Sequence, residues 1–511
     1  MLLHVLFYEG GEEPVRMLLT KEQMKQADAY TISQKGIPAE TLMERAAFAF
    51  VEALLKRKTD LPRVCVLCGT GNNGGDGLAI ARILKERNVD VTVVVTGDQK
   101  KGSPLFFWEM QRLLERGCRM EKEYREEDGD LLVDAMFGVG LSRELLPRDQ
   151  ELIRRLNAMK KEVWAVDVPS GVCASTGKIY GEALKAQVTV TFQAEKPGLF
   201  LFPGKQYAGE ILCRDIGISL DGVQEKDACF LLEQEEYRQL LPLRKEDSHK
   251  GTYGKILLIA GSRGMAGAAY LSGQAAYLSG AGMVRIYTPA ENRVILQTLL
   301  PQAMVSEYES FDRNQLLELL DWADAVTIGP GMGTGADADQ ILETVLKESG
   351  LPCVIDADGL NLLAQRKLKR KQFLGRAVIL TPHIGEMSRL LQCPAERWKE
   401  ERIEVLREFV RDYQVTCILK DARTLVADER RMALNLTGNQ SVAKAGSGDI
   451  LSGILTALLA QGMDPWEAGA LGVWLHGRAA DLAREQKGSY SVLEKDFLES
   501  LGRVWKEEEE R

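Results

Sequence analysis

Short unbroken runs of Val, Ile, Leu and Cys recur along this chain, separated by amphipathic or small-residue stretches of helical length. Two helical patterns come first, at 21–34 and 39–56; in the second, Leu42, Met43, Ala46, Phe50, Ala53 and Leu54 fall on one stripe. Apolar runs at 64–68, 89–96, 131–135, 163–168 and 188–192 follow, with helices predicted up to residue 86 and at 104–116. A second series occupies 255–260, 284–287, 325–328, 352–355, 378–380 and 415–419. Strands that are apolar throughout are buried on both faces, which predicts parallel sheets covered by helices, an α/β class. Asp134 and Asp167 end two of these runs, where such sheets bind ligands. The charged, turn-poor stretch 219–247 predicts a plain connection, with a domain boundary near 224. The duplicated Ala-Ala-Tyr-Leu-Ser-Gly at 268–273 and 275–280 predicts a closely packed small-residue helix.

Length agrees with the double series, since 511 residues exceed one ordinary core. Hydrophobic residues at 45% and charged residues at 27% are those of a globular protein. A net charge of −9 argues against nucleic acid as a partner, because phosphate neutralisation needs a basic face. No apolar stretch is long enough to span a bilayer, so no membrane partner is expected. The brief apolar start runs into Glu9, Glu12 and Glu13 instead of a cleavage site. Met17 heads the first domain-like sequence, so 1–16 read as an extension of doubtful status. The 9 cysteines, scattered through apolar runs, fit reduced thiols in the cytoplasm. Cys65 and Cys68 share one predicted strand and read as core packing.

Candidate chemistry gathers at two glycine-rich loops. Gly69-Thr-Gly-Asn72-Asn73-Gly74-Gly75-Asp76-Gly77 follows the first apolar run, and Gly446-Ser-Gly448-Asp449 precedes a long apolar helix. Each offers free backbone N–H groups where a helix begins, a phosphate-sized site. Glycines alone would serve backbone conformation, but adjacent Asn and Asp add oxygen acceptors for a ribose or a hard cation. Asp134-Ala-Met-Phe-Gly138-Val139-Gly140-Leu141-Ser142-Arg143-Glu144 and Asp167-Val-Pro-Ser170-Gly171 also follow strands, so all three segments can meet at one sheet edge.

Leu42-Met-Glu-Arg-Ala46 and these three segments together resemble the NAD(P)H-hydrate epimerase domain, over 17–223. The resemblance implies a Rossmann-like three-layer sandwich that interconverts the R and S hydrates of NADH and NADPH. It implies that Asn72, Asn73, Gly74, Gly75 and Asp76, with Gly138, Val139, Gly140, Leu141, Ser142, Arg143 and Glu144, hold the diphosphate and ribose. It further implies a potassium ion (K+) on Asn73, Asp134 and Ser170, and Asp167 against the hydrated ring. A carboxylate at a strand end is well placed to move a proton, so Asp167 is the expected acid/base of epimerisation.

Residues 438–449, reading G-N-x-x-x-A-x-A-G-S-G-D, resemble the anion hole of ribokinase-like enzymes. With His249-Lys-Gly-Thr-Tyr-Gly254, Gly329-Pro-Gly-Met-Gly333, Asp356-Ala-Asp358-Gly-Leu-Asn361 and Thr381-Pro-His383-Ile-Gly-Glu386, they resemble the ADP/ATP-dependent NAD(P)H-hydrate dehydratase domain over 224–505; residues 506–511 read as a charged tail. That implies a ribokinase-like α/β domain, Mg²⁺, and ADP as co-substrate. The hydrate is expected at Ala266, Gly333, His383 and Asp449, and the nucleotide at Lys420, Asp421, Ala422, Arg423, Thr424 and Gly448. Asp449 is the expected base, while the amides of Gly446, Ser447 and Gly448 hold the transferring phosphoryl group. Asp421 departs from the family, which usually has Gly there; a carboxylate beside phosphates needs an offset, expected from Arg423.

The joint expectation is a bifunctional repair enzyme whose partners are small molecules, the hydrates and ADP, and which forms a homo-oligomer built on its second domain. The alternative is a ribokinase-like small-molecule kinase with an appended ligand-binding domain. It predicts a stable phosphorylated product, where a dehydratase releases phosphate.

Overall fold

In the first half, the apolar strand Val64–Cys68 (β1) buries every position and feeds a helix that opens on glycine. The computed structural model describes residues 16–510 apart from 59, 60, 62, 225–227, 368 and 370–372; the extension at 1–16 lies, except for Arg16, outside them. Two compact units divide the chain, Arg16–Cys229 and Phe230–Arg511.

In the first unit, helices Lys21–Gln34 (α1) and Ala39–Arg57 (α2) precede β1. Then come Asn72–Glu86 (α3), Val91–Val95 (β2), Pro104–Glu115 (α4), Arg119–Glu121 (β3), Leu131–Ala135 (β4), Pro147–Ala158 (α5), Glu162–Val166 (β5), Val188–Phe192 (β6) and Glu210–Arg214 (β7). The sheet runs β3-β2-β1-β4-β5-β6-β7, all neighbours parallel. Strand order reverses between β1 and β4, so the loops after them leave the sheet side by side, opening a crevice there. Gly69 makes this possible, since a Cβ at that position would lie 1.9 Å from the Met136 carbonyl oxygen. The expected strand 163–168 ends instead at Val166, because Asp167 turns into the left-handed region at φ 66°. Cys65 and Cys68 are both buried and unpaired, as packing predicts.

The second unit begins with a correction. The stretch expected to be a plain connection holds a strand, Cys229–Leu231 (β8), and a helix, Gln234–Gln239 (α6). Tyr237 is buried and stacks on Trp474 at 5.0 Å, and Gln234 and Arg238 donate to the buried Glu508 at 2.7 and 2.6 Å. The stretch expected as a charged tail is instead helical through Glu509 and anchors this short helix. The elements that build the site are Lys255–Ile259 (β9), Ala266–Leu278 (α7), Met283–Pro289 (β10), Met304–Tyr308 (β11), Ala325–Ile328 (β12), Cys353–Ile355 (β13), Asp358–Gln365 (α8), Val378–Leu380 (β14), Ile384–Leu391 (α9), Arg402–Tyr413 (α10), Thr416–Leu419 (β15), Leu425–Ala427 (β16), Met432–Leu434 (β17), Ser447–Ala460 (α11) and Pro465–Ser491 (α12). The sheet reads β8-β17-β16-β15-β14-β13-β12-β9-β10-β11. From β15 through β11 it is parallel, while β15, β16 and β17 form an antiparallel meander. The small-residue repeat forms α7, where Ala269, Ala275 and Ala276 are fully buried and α11 packs close against it.

Candidate active sites

The crevice of the first unit is a cavity of about 620 Å³. The loop after β1 contributes Asn72, Asn73 and Asp76, and the loop after β4 contributes Gly138, Val139, Gly140, Leu141, Ser142 and Arg143; Asp167 joins them. Gly74 and Gly75 are buried in the first turns of α3 and do not line the cavity, nor does Glu144, which sits against Gly181. Asp167 receives hydrogen bonds from the Thr191 hydroxyl at 3.0 Å and the Lys196 ammonium at 2.6 Å. Lys196 is almost wholly buried, and its other two donors reach Thr191 Oγ1 and the Phe192 carbonyl. At φ 66° the Asp167 carboxylate meets a fixed buried cation, a backbone conformation that costs strain for a non-glycine residue.

Asp134 and Ser170 lie beneath this floor. Asp134 is fully buried and accepts hydrogen bonds from the Ser170 hydroxyl and amide, at 2.5 and 2.7 Å, and from the Met136 amide. All these donors are neutral, and burial pushes its pKa up to about 6. Asn73 lies against Gly138 and leaves its buried Nδ2 without a hydrogen-bond partner. A buried carboxylate whose hydrogen-bond partners are all neutral, a hydroxyl and the amide oxygen of Asn73 are oxygen ligands of the kind a hard monovalent cation takes.

In the second unit, the loops after β9, β12, β13, β14 and β15 leave the same carboxyl edge of the parallel sheet. Ala266 is the first residue of α7, and Gly333 donates its amide to Asp358 at 2.9 Å. Gly446 caps α11 at φ 95°, a conformation that frees the following amides at the helix start. Asp449 lies in the first turn of α11, and its backbone carbonyl is held by the Ser272 hydroxyl of α7. Burial pushes its carboxyl pKa up to about 7; Asp356 and Asp358 add to this and Lys420 opposes it. Asp356 is buried and accepts from Lys420 at 2.7 Å, Thr381 at 2.7 Å and Ser452 at 2.8 Å. Burial pushes Asp356 up, yet Lys420 and the two hydroxyls outweigh it and hold its pKa below the usual value.

His383 caps α9. Its Nδ1 accepts from the amides of Gly385 and Glu386, at 2.9 and 3.3 Å. That capping leaves Nε2 as the hydrogen-bearing nitrogen. Burial lowers its pKa, and the Lys420 and Arg389 cations lower it further, so His383 serves as a neutral donor. Lys420, Asp421, Ala422, Arg423 and Thr424 form the hairpin turn between β15 and β16. The compensation expected from Arg423 is corrected here: Arg402 of α10 donates to the Asp421 carboxylate at 2.7 Å, while Arg423 reaches the Leu436 carbonyl. The guanidinium that could reach inward was one helix away, not two residues along.

Sequence reasoning missed Lys196, Asp28 and His476, and it named Asp356 only as the head of a motif, without a role. Lys196 had one signal, a lysine in the mostly buried stretch after β6. His476 of α12 hydrogen-bonds the Ser447 carbonyl at 2.9 Å, and burial pushes its pKa down to about 4, so it steadies the Gly446 loop as a neutral group.

Known proteins match over the same two spans. A family model described as YjeF-related protein N-terminus matches residues 39–198, and one described as NAD(P)H-hydrate dehydratase matches 256–503. A bifunctional NAD(P)H-hydrate repair enzyme of Moorella thermoacetica is 35% identical, covering 96% of this chain and 97% of its own length. One of the same description from Escherichia coli is 35% identical over 92% of this chain and 90% of its own. An ADP/ATP-dependent NAD(P)H-hydrate dehydratase from Bacillus subtilis, crystallised with ATP and Mg²⁺, is 32% identical; the match covers 54% of this chain and 98% of that one, with a TM-score of 0.49.

Proposed function

The chain belongs to the family of bifunctional NAD(P)H-hydrate repair enzymes, and from that membership we propose that its two units act in turn on one damaged dinucleotide. The first unit epimerises hydrated NADH or NADPH, and the second dehydrates the S form. Two separate acid-bearing sites, Asp167 in one unit and Asp449 in the other, carry this reading. In the first, Asn72, Asn73, Asp76 and the 138–143 loop hold the diphosphate and ribose, and Asp167 moves a proton at the hydroxyl-bearing carbon. Asn73, Asp134 and Ser170 would hold potassium, which supplies positive charge beneath the diphosphate.

In the second unit, hydroxide is a poor leaving group, so the hydroxyl is first phosphorylated. Asp449 takes its proton, and the amides at the start of α11 hold the phosphoryl group. Phosphate then leaves as the ring regains conjugation. His383 donates from Nε2 toward the hydrate beside Ala266 and Gly333, while the turn from Lys420 to Thr424, with Gly448, holds the nucleotide. ADP is the co-substrate and leaves as AMP. Mg²⁺ would arrive with the nucleotide, on its phosphates, and would spread their charge. Buried thiols in apolar strands, such as Cys65, Cys68, Cys353 and Cys417, support a reducing compartment, the cytoplasm. Val294 and Ile295, exposed apolar residues of the second unit, support a homo-oligomer built there.

The test mixes both hydrates with the full chain, ADP or ATP, and Mg²⁺. Complete return of reduced-cofactor absorbance with release of phosphate is expected. A stable phosphorylated product would establish the kinase alternative, and a return limited to the S form would remove the epimerase.

A further inference from the structure

Epimerisation poses a problem of faces that one carboxylate does not solve. In a hydrated dihydronicotinamide the hydroxyl sits on the carbon bonded to the ring nitrogen, since water adds where the iminium form is electrophilic. Inverting that carbon by loss and return of water requires a proton given to the departing hydroxyl on one face. It also requires a proton taken from the incoming water on the other. Asp167, locked to Lys196 just after β5, is a single carboxylate held in one place on the cavity lining.

Helix α1 forms another wall. Met24, Asp28 and Ile32, at four-residue spacing, line the cavity together with Lys25, which places Asp28 in the middle of the helix face turned to the ligand space. The Asp28 carboxyl makes no hydrogen bond or ion pair with any described residue, so nothing structural occupies it. The charged and titratable groups around the same cavity are Lys25 on its own helix, Asp76 of α3, Arg143 of the loop after β4, Asp167 and Lys196. Burial pushes the Asp28 pKa up to about 6; the Asp167 charge adds to this and Lys196 opposes it. Burial likewise holds the Asp76 carboxyl well above its usual value, with Asp167 and Asp28 adding to the effect.

We infer that Asp28 is the second proton-transfer residue of the epimerase site, paired with Asp167 across the cavity; this rests on the repair-enzyme reading. The Asp28 carboxyl gives its proton to the hydroxyl, the carbon–oxygen bond breaks, the nitrogen lone pair forms the C=N bond, and water leaves. A water on the other face then attacks the carbon, the C=N pair returns to nitrogen, and Asp167 takes the water's proton. One water departs and one is added, Asp28 ends ionised and Asp167 protonated, and exchange with solvent resets both. The opposite epimer runs the same path backwards.

The test uses the full chain with purified R hydrate of NADH, ADP omitted so that the S form accumulates, and the uncatalysed rate subtracted. Asp28→Asn is expected to lower the epimerisation rate by about 10²–10⁴-fold while dehydration of the S hydrate with ADP continues at the wild-type rate, which shows that the chain is folded. In the wild type the forward rate falls as pH rises past about 6, as the Asp28 proton is lost, and this alkaline limb disappears in Asp28→Asn. Asp28→Glu restores activity with the limb shifted. The inference is overturned if Asp28→Asn epimerises normally, or if its residual activity keeps the wild-type limb. It also fails if the limb moves with Asp76→Asn instead. A wild-type chain that does not interconvert the hydrates removes the parent reading and this inference together, a result distinct from an unaffected variant.

Discussion

Both units place an aspartate at the carboxyl edge of a parallel sheet near one lysine, buried in the first and half-buried in the second, but they use that lysine differently. In the first, Lys196 pairs directly with Asp167, the residue proposed to move the proton. In the second, Lys420 pairs with Asp356, a neighbour, and Asp449 is left without an ion pair among the described residues. The same pair of residue types therefore does opposite work. Where the lysine is bonded to the proposed acid/base carboxylate it fixes that carboxylate's position, and where it is bonded next door burial holds the proposed base at a pKa of about 7.

The largest expected effect is Asp449→Asn, which lowers dehydration by about 10²–10⁴-fold and leaves epimerisation intact. Phosphate release and hydrate interconversion, measured on one preparation, check it; loss of both activities would break the separation of the two sites. Next comes Lys196→Met. Removing one partner of a buried ion pair costs about 3–5 kcal/mol, so the first unit should unfold at lower denaturant while the second keeps its dehydratase activity. Unchanged unfolding would mean that Lys196 is a solvated lysine, contrary to its burial.

The parts of this division that were legible in the sequence follow from period and from loop chemistry. Fully apolar runs announced the parallel strands, and Asp134, Asp167 and Asp449 stood at their ends or at a helix start, where position alone suggests chemistry. Short strands such as Arg119–Glu121 and Met432–Leu434 were invisible, because three residues carry no period. The lysines were harder still. Whether Lys196 or Lys420 meets a given carboxylate depends on tertiary approach, and so does the pairing of Arg402 with Asp421 across 19 residues. Asp28 was hidden for another reason: α1 has a weakly apolar face, so nothing in its pattern distinguished a cavity-facing acid from a solvated one.

The third prediction reads the second unit's proton affinity directly. Asp449 acts as a base only when ionised, so kcat/KM for dehydration should fall about tenfold per pH unit below its pKa of about 7 and flatten above it. Lys420→Met, which removes a cation that favours the ionised form, should push the inflection to higher pH. An inflection that stays fixed would mean that Asp449 is not the titrating group.

The smallest effect sharpens the comparison at the nucleotide turn. Asp421 places negative charge beside the proposed phosphate site, and Arg402 offsets it through a partly buried ion pair. Arg402→Ala leaves that carboxylate facing the nucleotide, at a cost of up to about 1 kcal/mol or about fivefold in KM for ADP. Adding Asp421→Gly on that background removes the charge as well, and KM should return toward the wild-type value, with kcat little changed throughout. If the double variant stays as weak as Arg402→Ala, the arginine acts through its own contact with the nucleotide, and the pair is then a binding element, not an internal neutralisation.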